Sequence, residues 1–272
     1  MPTLHPGNSP IAPDERQYDV RVGASSYAPI VGAMGSLAVT AIVVVFTVPQ
    51  GVSKTSIAFA AGLLAIGFFG SLLGSFALAA IGAERDPTVN LAAAILFTCV
   101  PVILGIVAIL GAFSVLASIY IPESAGLFRG ITAAGGAFGV VFSVFSIADS
   151  VGLHPTTMSP KNFEDWLSRQ WIKSRSQGLR ASNLVLAVCL LPLVIVGVMR
   201  FIFDVSIPLN ATAVNWVIGG GILVSLVGTW LGLMKTTHPK IGNDQRALKP
   251  FEAWAPNAII SLYVCALVLT LP

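Results

Sequence analysis

Charged side chains are scarce in this sequence. Only 10% of its 272 residues are Asp, Glu, Lys or Arg, whereas soluble domains carry about 25%. Hydrophobic residues make up 55% of the chain, and the mean hydropathy is +0.85. This deficit excludes an ordinary soluble domain and predicts that lipid surrounds most of the chain. The formal net charge of +3 is too small to indicate nucleic-acid binding, and no nucleic acid is expected as a partner.

The sequence also lacks the residue patterns of known catalytic and metal sites. It contains no HExxH, GxSxG or GxxxxGK motif. Its three histidines fall outside the apolar segments and its three cysteines fall inside them, so neither set has the spacing of metal ligands. These residues are His5, His154, His238, Cys99, Cys189 and Cys265. We therefore expect no catalytic residue, no metal and no cofactor.

Long apolar segments dominate the rest of the chain. About 20 apolar residues are needed to cross the hydrocarbon core of a bilayer, and seven segments meet this requirement. They cover approximately 29–48, 56–82, 91–120, 130–149, 182–203, 211–234 and 255–271. The predicted fold is an all-α, polytopic membrane helix bundle. The bundle is preceded by a polar, proline-containing tail, 1–27, that is predicted to be disordered. Polar loops at 150–181 and 235–254 connect helices of the bundle.

The distribution of Lys and Arg predicts the orientation of the bundle. If the seven segments alternate in direction, Lys54, Arg129 and Arg200 lie on one side of the membrane. The other side holds Arg16, Arg21, Arg85, Lys161, Arg169, Lys173, Arg175, Arg180, Lys235, Lys240, Arg246 and Lys249. Because cytoplasmic loops carry an excess of Lys and Arg, we predict a plasma-membrane protein with a cytoplasmic N-terminus and an external C-terminus.

The polar loop between the fourth and fifth segments has the pattern of an amphipathic helix. Ser159 and Pro160 have the residue types of an N-cap and a first helical position, and Gly178 is expected to end the helix. An apolar face and several cations follow at helical spacing, which is typical of a helix lying at a membrane–water interface. The face consists of Phe163, Trp166, Leu167 and Trp171, and the nearby cations are Arg169, Lys173 and Arg175. The helix is predicted to lie on the cytoplasmic lipid surface. The alternatives are that it docks a soluble partner protein or gates a pore.

Ionisable residues are almost absent from the segment centres, and those near the ends are the candidates for a polar site. Asp149, at the inner end of the fourth segment, is a candidate ion or polar site or a helix-end contact. Arg200 and Asp204, at the outer end of the fifth, are four residues apart and are expected to pair on one helix face.

Small residues recur four positions apart in three segments. Such spacing lets two helix backbones approach closely inside a membrane. The glycines concerned are Gly70 and Gly74, Gly135 and Gly139, and Gly228 and Gly232. They predict close helix packing within the bundle or, alternatively, a homo-oligomer interface.

These observations favour a non-enzymatic integral membrane protein that acts as a partner or subunit of a membrane assembly. Its expected partners are the lipid bilayer and a cytoplasmic or membrane protein. A transporter or channel for a neutral or apolar small solute is the alternative, because prolines and glycines inside the segments allow broken helices. An intramembrane enzyme with a dyad formed across helices is a third alternative.

Overall fold

The computed structural model describes residues 20–47, 53–84, 91–151, 172–237 and 250–272. Within these ranges the chain forms seven α-helices and one short 3-10 helix, at Pro122–Ser124. The α-helices are α1 Val20–Val45, α2 Lys54–Ala83, α3 Leu91–Tyr120, α4 Ala125–Val151, α5 Ile172–Phe201, α6 Ala211–Thr237 and α7 Pro250–Thr270. Each is long and apolar enough to cross a membrane. The predicted all-α membrane bundle is therefore confirmed.

Two helices begin at least nine residues earlier than the sequence predicts. α1 starts at Val20, so the last eight residues of the expected disordered tail are helical. α5 starts at Ile172 and continues to Phe201 without interruption. The expected stop at Gly178 is therefore wrong, and the polar loop is shorter than 150–181. A glycine inside a helix costs only about 1 kcal/mol relative to Ala, and no proline lies between Ile172 and Pro192 to end the helix.

α3 lies at the centre of the bundle. It packs against α2, α4, α6 and α7. In its most apolar stretch 72% of the residues are buried, against 17% for α5. The surrounding core is filled by large aliphatic side chains, including Leu63, Leu64 and Leu104, each fully buried. α1 contacts mainly α2 and lies at the periphery.

α7 is inserted among earlier helices. It packs against α3, α4 and α5, with a smaller contact to α6. Although its sequence is the shortest of the seven helices described, 61% of its apolar stretch is buried. It is therefore part of the core.

The helices alternate in direction, which gives the bundle two ends. The end at which α5 and α7 finish is named the Arg200 end. The opposite end, at which α6 finishes and α7 begins, is named the Lys235 end. Arg200 Nη2 donates to the Leu271 carbonyl at the first end, and Lys235 meets Glu252 at the second. The Lys235 end corresponds to the side predicted to be cytoplasmic.

Candidate functional site

Arg200 and Asp204 meet at the Arg200 end. Arg200 Nη1 lies 2.9 Å from Asp204 Oδ1. The pair differs from a simple contact on one helix face, because α5 ends at Phe201 and Asp204 lies in the non-helical segment that follows. Asp204 adopts a positive φ of 51°, a conformation that Asp tolerates better than most residues. The turn places the carboxylate beside the guanidinium and leaves it exposed to the surroundings.

Two arginines bind the main-chain oxygens of the two residues that follow α7. Arg200 Nη2 donates to Leu271 O over 2.7 Å. From α4, Arg129 donates to Pro272 O through Nε, at 3.0 Å, and through Nη2. Cations are favourable at the C-terminal end of a helix, where backbone carbonyls lack intrahelical partners. The two arginines therefore join α4, α5 and α7 at one point.

Arg200 is the more deeply buried of the two arginines. Its residue exposure is 4%, and its Nε has no hydrogen-bond partner among the described residues. Leaving a buried donor unpaired costs about 1–3 kcal/mol. The guanidinium is thus only partly satisfied by Asp204 and Leu271.

A second charged pair lies at the Lys235 end. Lys235 Nζ, in the last turn of α6, lies 2.5 Å from Glu252 Oε1 in the first turn of α7. The Glu252 side chain is 7% exposed and the Lys235 side chain 27%. Both charges also suit the helix dipoles, since Lys235 is at a C-terminus and Glu252 at an N-terminus. Sequence reasoning missed this pair, because Lys235 and Glu252 were both assigned to a loop.

The other predicted polar residues lie mostly outside the described part of the chain. Asp149 is in the last turn of α4, but its side chain is outside that part. The same holds for Lys173 and Arg175, which belong to the first turn of α5. The remaining residues of the proposed surface helix lie outside the described residues altogether: Phe163, Trp166, Leu167, Arg169 and Trp171. The surface helix stays a prediction.

The glycine pair of α2 lies at the contact with α3. A Cβ added to Gly70 would be 2.5 Å from the backbone oxygen of Pro101. A Cβ on Gly74 would be 2.4 Å from Val102 Cγ2. Both distances are below normal van der Waals separation, so only glycine allows this approach.

The other two pairs also face neighbouring helices of the same chain. On α4, a Cβ on Gly135 would be 2.7 Å from Leu110 and one on Gly139 would be 2.4 Å from Ile103. On α6, Gly232 would meet Thr98 Oγ1 at 2.7 Å, and Gly228 would meet the Phe97 oxygen at 3.2 Å. All six glycines are thus placed in contacts inside the bundle.

The middle of α3 is held between α2 and α6 by these contacts. Pro101 has no backbone N–H, so it cannot donate to the Phe97 carbonyl one turn earlier. Gly228 of α6 approaches that carbonyl from one side, and Gly70 of α2 approaches the Pro101 carbonyl from the other. The backbones of α2, α3 and α6 therefore pack closely together at the middle of α3.

No protein-family model matches the chain, and no similar curated protein or solved structure is found.

One helix face carries small residues beside which the described chain leaves open space. On α4, nothing lies within 4 Å of a Cβ added to Gly126 or Gly130, and Ala134, four residues further on, is exposed. Exposed large side chains flank this face, namely Leu127, Ile131 and Phe138. We call Gly126, Gly130 and Ala134 the α4 notch. Sequence reasoning missed it, because the contacts used by each glycine cannot be read from spacing alone.

Several buried polar side chains also lie in the core. Ser261 Oγ of α7 donates to Cys189 O of α5 over 2.7 Å. In contrast, hydroxyls such as Ser71, Ser225 and Tyr263 have no hydrogen-bond partner among the described residues. The same residues contain no group of His, Cys, Asp and Glu that could hold a metal ion. All three histidines lie outside them.

A shallow apolar groove of about 170 Å³ opens at the Arg200 end. Its walls come from the end of α3, the following residue and the first turn of α4. The lining residues are Phe113, Leu116, Ala117, Tyr120, Ile121 and Phe128. Towards the Lys235 end, α1 and α4 approach each other, with the rings of Tyr27 and Phe142 6.3 Å apart.

Proposed function

We propose that this chain is a non-enzymatic subunit of a membrane assembly and that a transmembrane helix of another chain packs into the α4 notch. The observation that carries the proposal is the filled centre of the bundle. Fully buried Leu63, Leu64 and Leu104 occupy it, and α3 touches the backbones of α2 and α6. A protein organised around a solid core offers its outer surfaces for interaction.

The α4 notch supplies the surface for such a partner. Within a membrane, helices associate through close packing, and small residues four positions apart allow this approach. The glycines of α2 use this geometry within the bundle, whereas Gly126 and Gly130 have open faces. Leu127 and Ile131, both exposed, flank the notch and provide walls for a docked helix.

Photo-cross-linking in native membranes tests the proposal. A photoreactive residue at Leu127, beside the notch, should give a product of defined mass. The matched control is Leu184 of α5, which is also exposed but lies on a different helix from the notch. The substitution Gly130→Leu should abolish the product at Leu127, because it fills the notch.

The mass of the product identifies the partner as a second copy or a different protein. Equal products at Leu127 and Leu184, or a product at Leu127 that survives Gly130→Leu, would rule out packing in the notch.

A transporter or channel for a neutral or apolar solute is the second proposal. It is favoured by the buried hydroxyls without partners, including Ser71, Ser225 and Tyr263. Polar groups inside a membrane bundle often mark solute pathways. Solute uptake by liposomes containing the purified chain, compared with liposomes lacking it, tests this alternative.

A further inference from the structure

Buried polar side chains recur where α4, α5 and α7 meet. Ser143 of α4, Ser182 of α5 and Asn257 of α7 are each at most 3% exposed. Ser143 Oγ, Ser182 Oγ and Asn257 Oδ1 have no hydrogen-bond partner among the described residues. Each helix of this junction thus contributes one buried polar atom. Inside a membrane bundle such atoms are costly unless they are hydrogen-bonded.

Ser143 and Asn257 lie on facing surfaces of α4 and α7. The two helices run in opposite directions, since α4 begins and α7 ends at the Arg200 end. A Cβ added to Gly136 of α4 would collide with Val264 of α7. Ser143 lies seven residues after Gly136, and Asn257 lies the same number before its own helix's contact residue. Seven residues are close to two helical turns, so the two polar side chains face each other at one level of the bundle.

Ser182 joins the same junction from α5. In the described part of the chain, α5 packs only against α4 and α7, so its buried side chains lie against these helices. α5 and α7 run in the same direction, and the bond from Ser261 Oγ to Cys189 O aligns them. This alignment places Ser182 about one turn beyond Asn257, towards the Lys235 end. Helical side chains lean towards the N-terminus of their helix, so Asn257 leans towards Ser182.

The amide of Asn257 has a fixed orientation. Its Nδ2 donates to the Ala253 carbonyl over 3.0 Å. The opposite assignment of nitrogen and oxygen would place two acceptors together. Asn257 Oδ1 is therefore left to accept a hydrogen bond from a group outside α7.

The hydroxyls of the two serines differ from other buried hydroxyls of the bundle. Thr132 of α4 and Thr229 of α6 each donate to the carbonyl four residues earlier in their own helix. Ser143 and Ser182 form no such bond in the described structure. Their O–H groups can therefore act as donors, and their oxygens as acceptors, within the junction.

The three polar atoms of the junction are uncharged. Glu252, the charged residue of α7, lies five residues before Asn257 and so projects from a different face of the helix. It pairs instead with Lys235 of α6. An ion held by two hydroxyls and one amide would be buried without an opposite charge, which is costly. The chemistry therefore fits a small neutral ligand that both donates and accepts hydrogen bonds.

We propose that the junction of α4, α5 and α7 binds a water molecule. The water donates to Asn257 Oδ1 and to the oxygen of one serine, and it accepts from the hydroxyl of the other. Buried waters typically make about three hydrogen bonds to groups that are otherwise unsatisfied. This water helps to attach α5, whose apolar stretch is only 17% buried. The inference does not depend on the function proposed above.

A crystal structure of the full chain, at a resolution that shows ordered solvent, tests the proposal directly. The expected result is a water within hydrogen-bond distance of Ser143 Oγ, Ser182 Oγ and Asn257 Oδ1. A dry junction would overturn the proposal, as would a direct hydrogen bond between Ser143 and Asn257. Contacts of about 2.4 Å, typical of a metal ion, would also overturn it.

Thermal unfolding in mild detergent provides a second test. Ser143→Ala and Ser182→Ala each remove one contact of the water and should lower the unfolding temperature. Because one water joins the two residues, the double variant should lose less than the sum of the single losses. The matched control is Thr132→Val, which removes a buried hydroxyl bonded within α4, and its effect should add to that of Ser182→Ala. Additive losses for Ser143→Ala and Ser182→Ala, or no loss from either, would contradict a shared water.

Discussion

Lys235 Nζ lies 2.5 Å from Glu252 Oε1, across the connection between α6 and α7. The contact fixes the start of a helix that is also held by apolar packing, by the Ser261 hydrogen bond and by the arginines at its other end. Because the Glu252 side chain is 7% exposed, solvent and salt screen this pair less than a surface ion pair. It is a polar constraint at the Lys235 end.

We expect Glu252→Gln to lower the free energy of unfolding by about 1–3 kcal/mol, because it replaces a charge-assisted hydrogen bond with a neutral one. Chemical unfolding in detergent measures the loss. The double variant Lys235→Gln/Glu252→Gln, compared with both single variants, isolates the energy of the pair. A coupling energy near zero would show that the two residues act independently.

We expect Gly70→Ala to destabilise the bundle by about 1–3 kcal/mol, because the added Cβ would press against the Pro101 backbone oxygen. Gly197→Ala on α5 is the control. Its Cβ would meet nothing within 4 Å, so the better helix propensity of Ala should stabilise the protein by up to about 1 kcal/mol. Thermal unfolding curves compare the two, and unchanged or increased stability of Gly70→Ala would contradict the helix contact at Gly70.

We expect Ser261→Ala to cost about 0.6–1 kcal/mol, since it removes an interhelical hydrogen bond to Cys189 O. Ser225→Ala is the matched control. This serine is also fully buried, but its Oγ has no partner among the described residues, so its removal should be neutral or stabilising. Urea titration in detergent distinguishes them. A larger loss from Ser225→Ala would reveal a polar contact that the described residues do not supply.

We expect Lys54→Cys to be labelled from outside intact cells by a membrane-impermeant maleimide, and Ala83→Cys to be protected until the membrane is opened. The two positions are exposed at opposite ends of α2, and the predicted orientation places the Lys54 side outside. The native cysteines are all buried, which keeps background labelling low. If only Ala83→Cys were labelled in intact cells, the protein would have the opposite orientation to the one predicted.

The spans could be predicted from the sequence, because an apolar run of membrane length has few alternative structures. The Arg200–Asp204 contact was also accessible, since four residues separate its members. Arg129 and Pro272 are 143 residues apart, and only the packing of α4 beside α7 brings them together. No local sequence pattern predicts a contact between residues so far apart in the chain.

The glycine contacts were likewise predictable from the sequence only in part. Spacing identified Gly70 and Gly139 as residues at close helix contacts, and both approach α3. Spacing could not tell which helix each would meet. It also could not separate these glycines from Gly126 and Gly130, which have the same spacing and open faces. The difference arises from how the helices are arranged around α3.

The insertion of α7 among α3, α4 and α5 has a consequence for biosynthesis. α7 is the last of the seven helices to leave the ribosome, yet its side chains, including the fully buried Ile260 and Leu267, belong to the core. Chains are made from the N-terminus at about 5–20 residues per second, so the first six helices reach the membrane seconds earlier. During that interval the space between α3, α4 and α5 is not yet filled by α7. The final packing of the bundle can therefore form only after translation has passed Thr270.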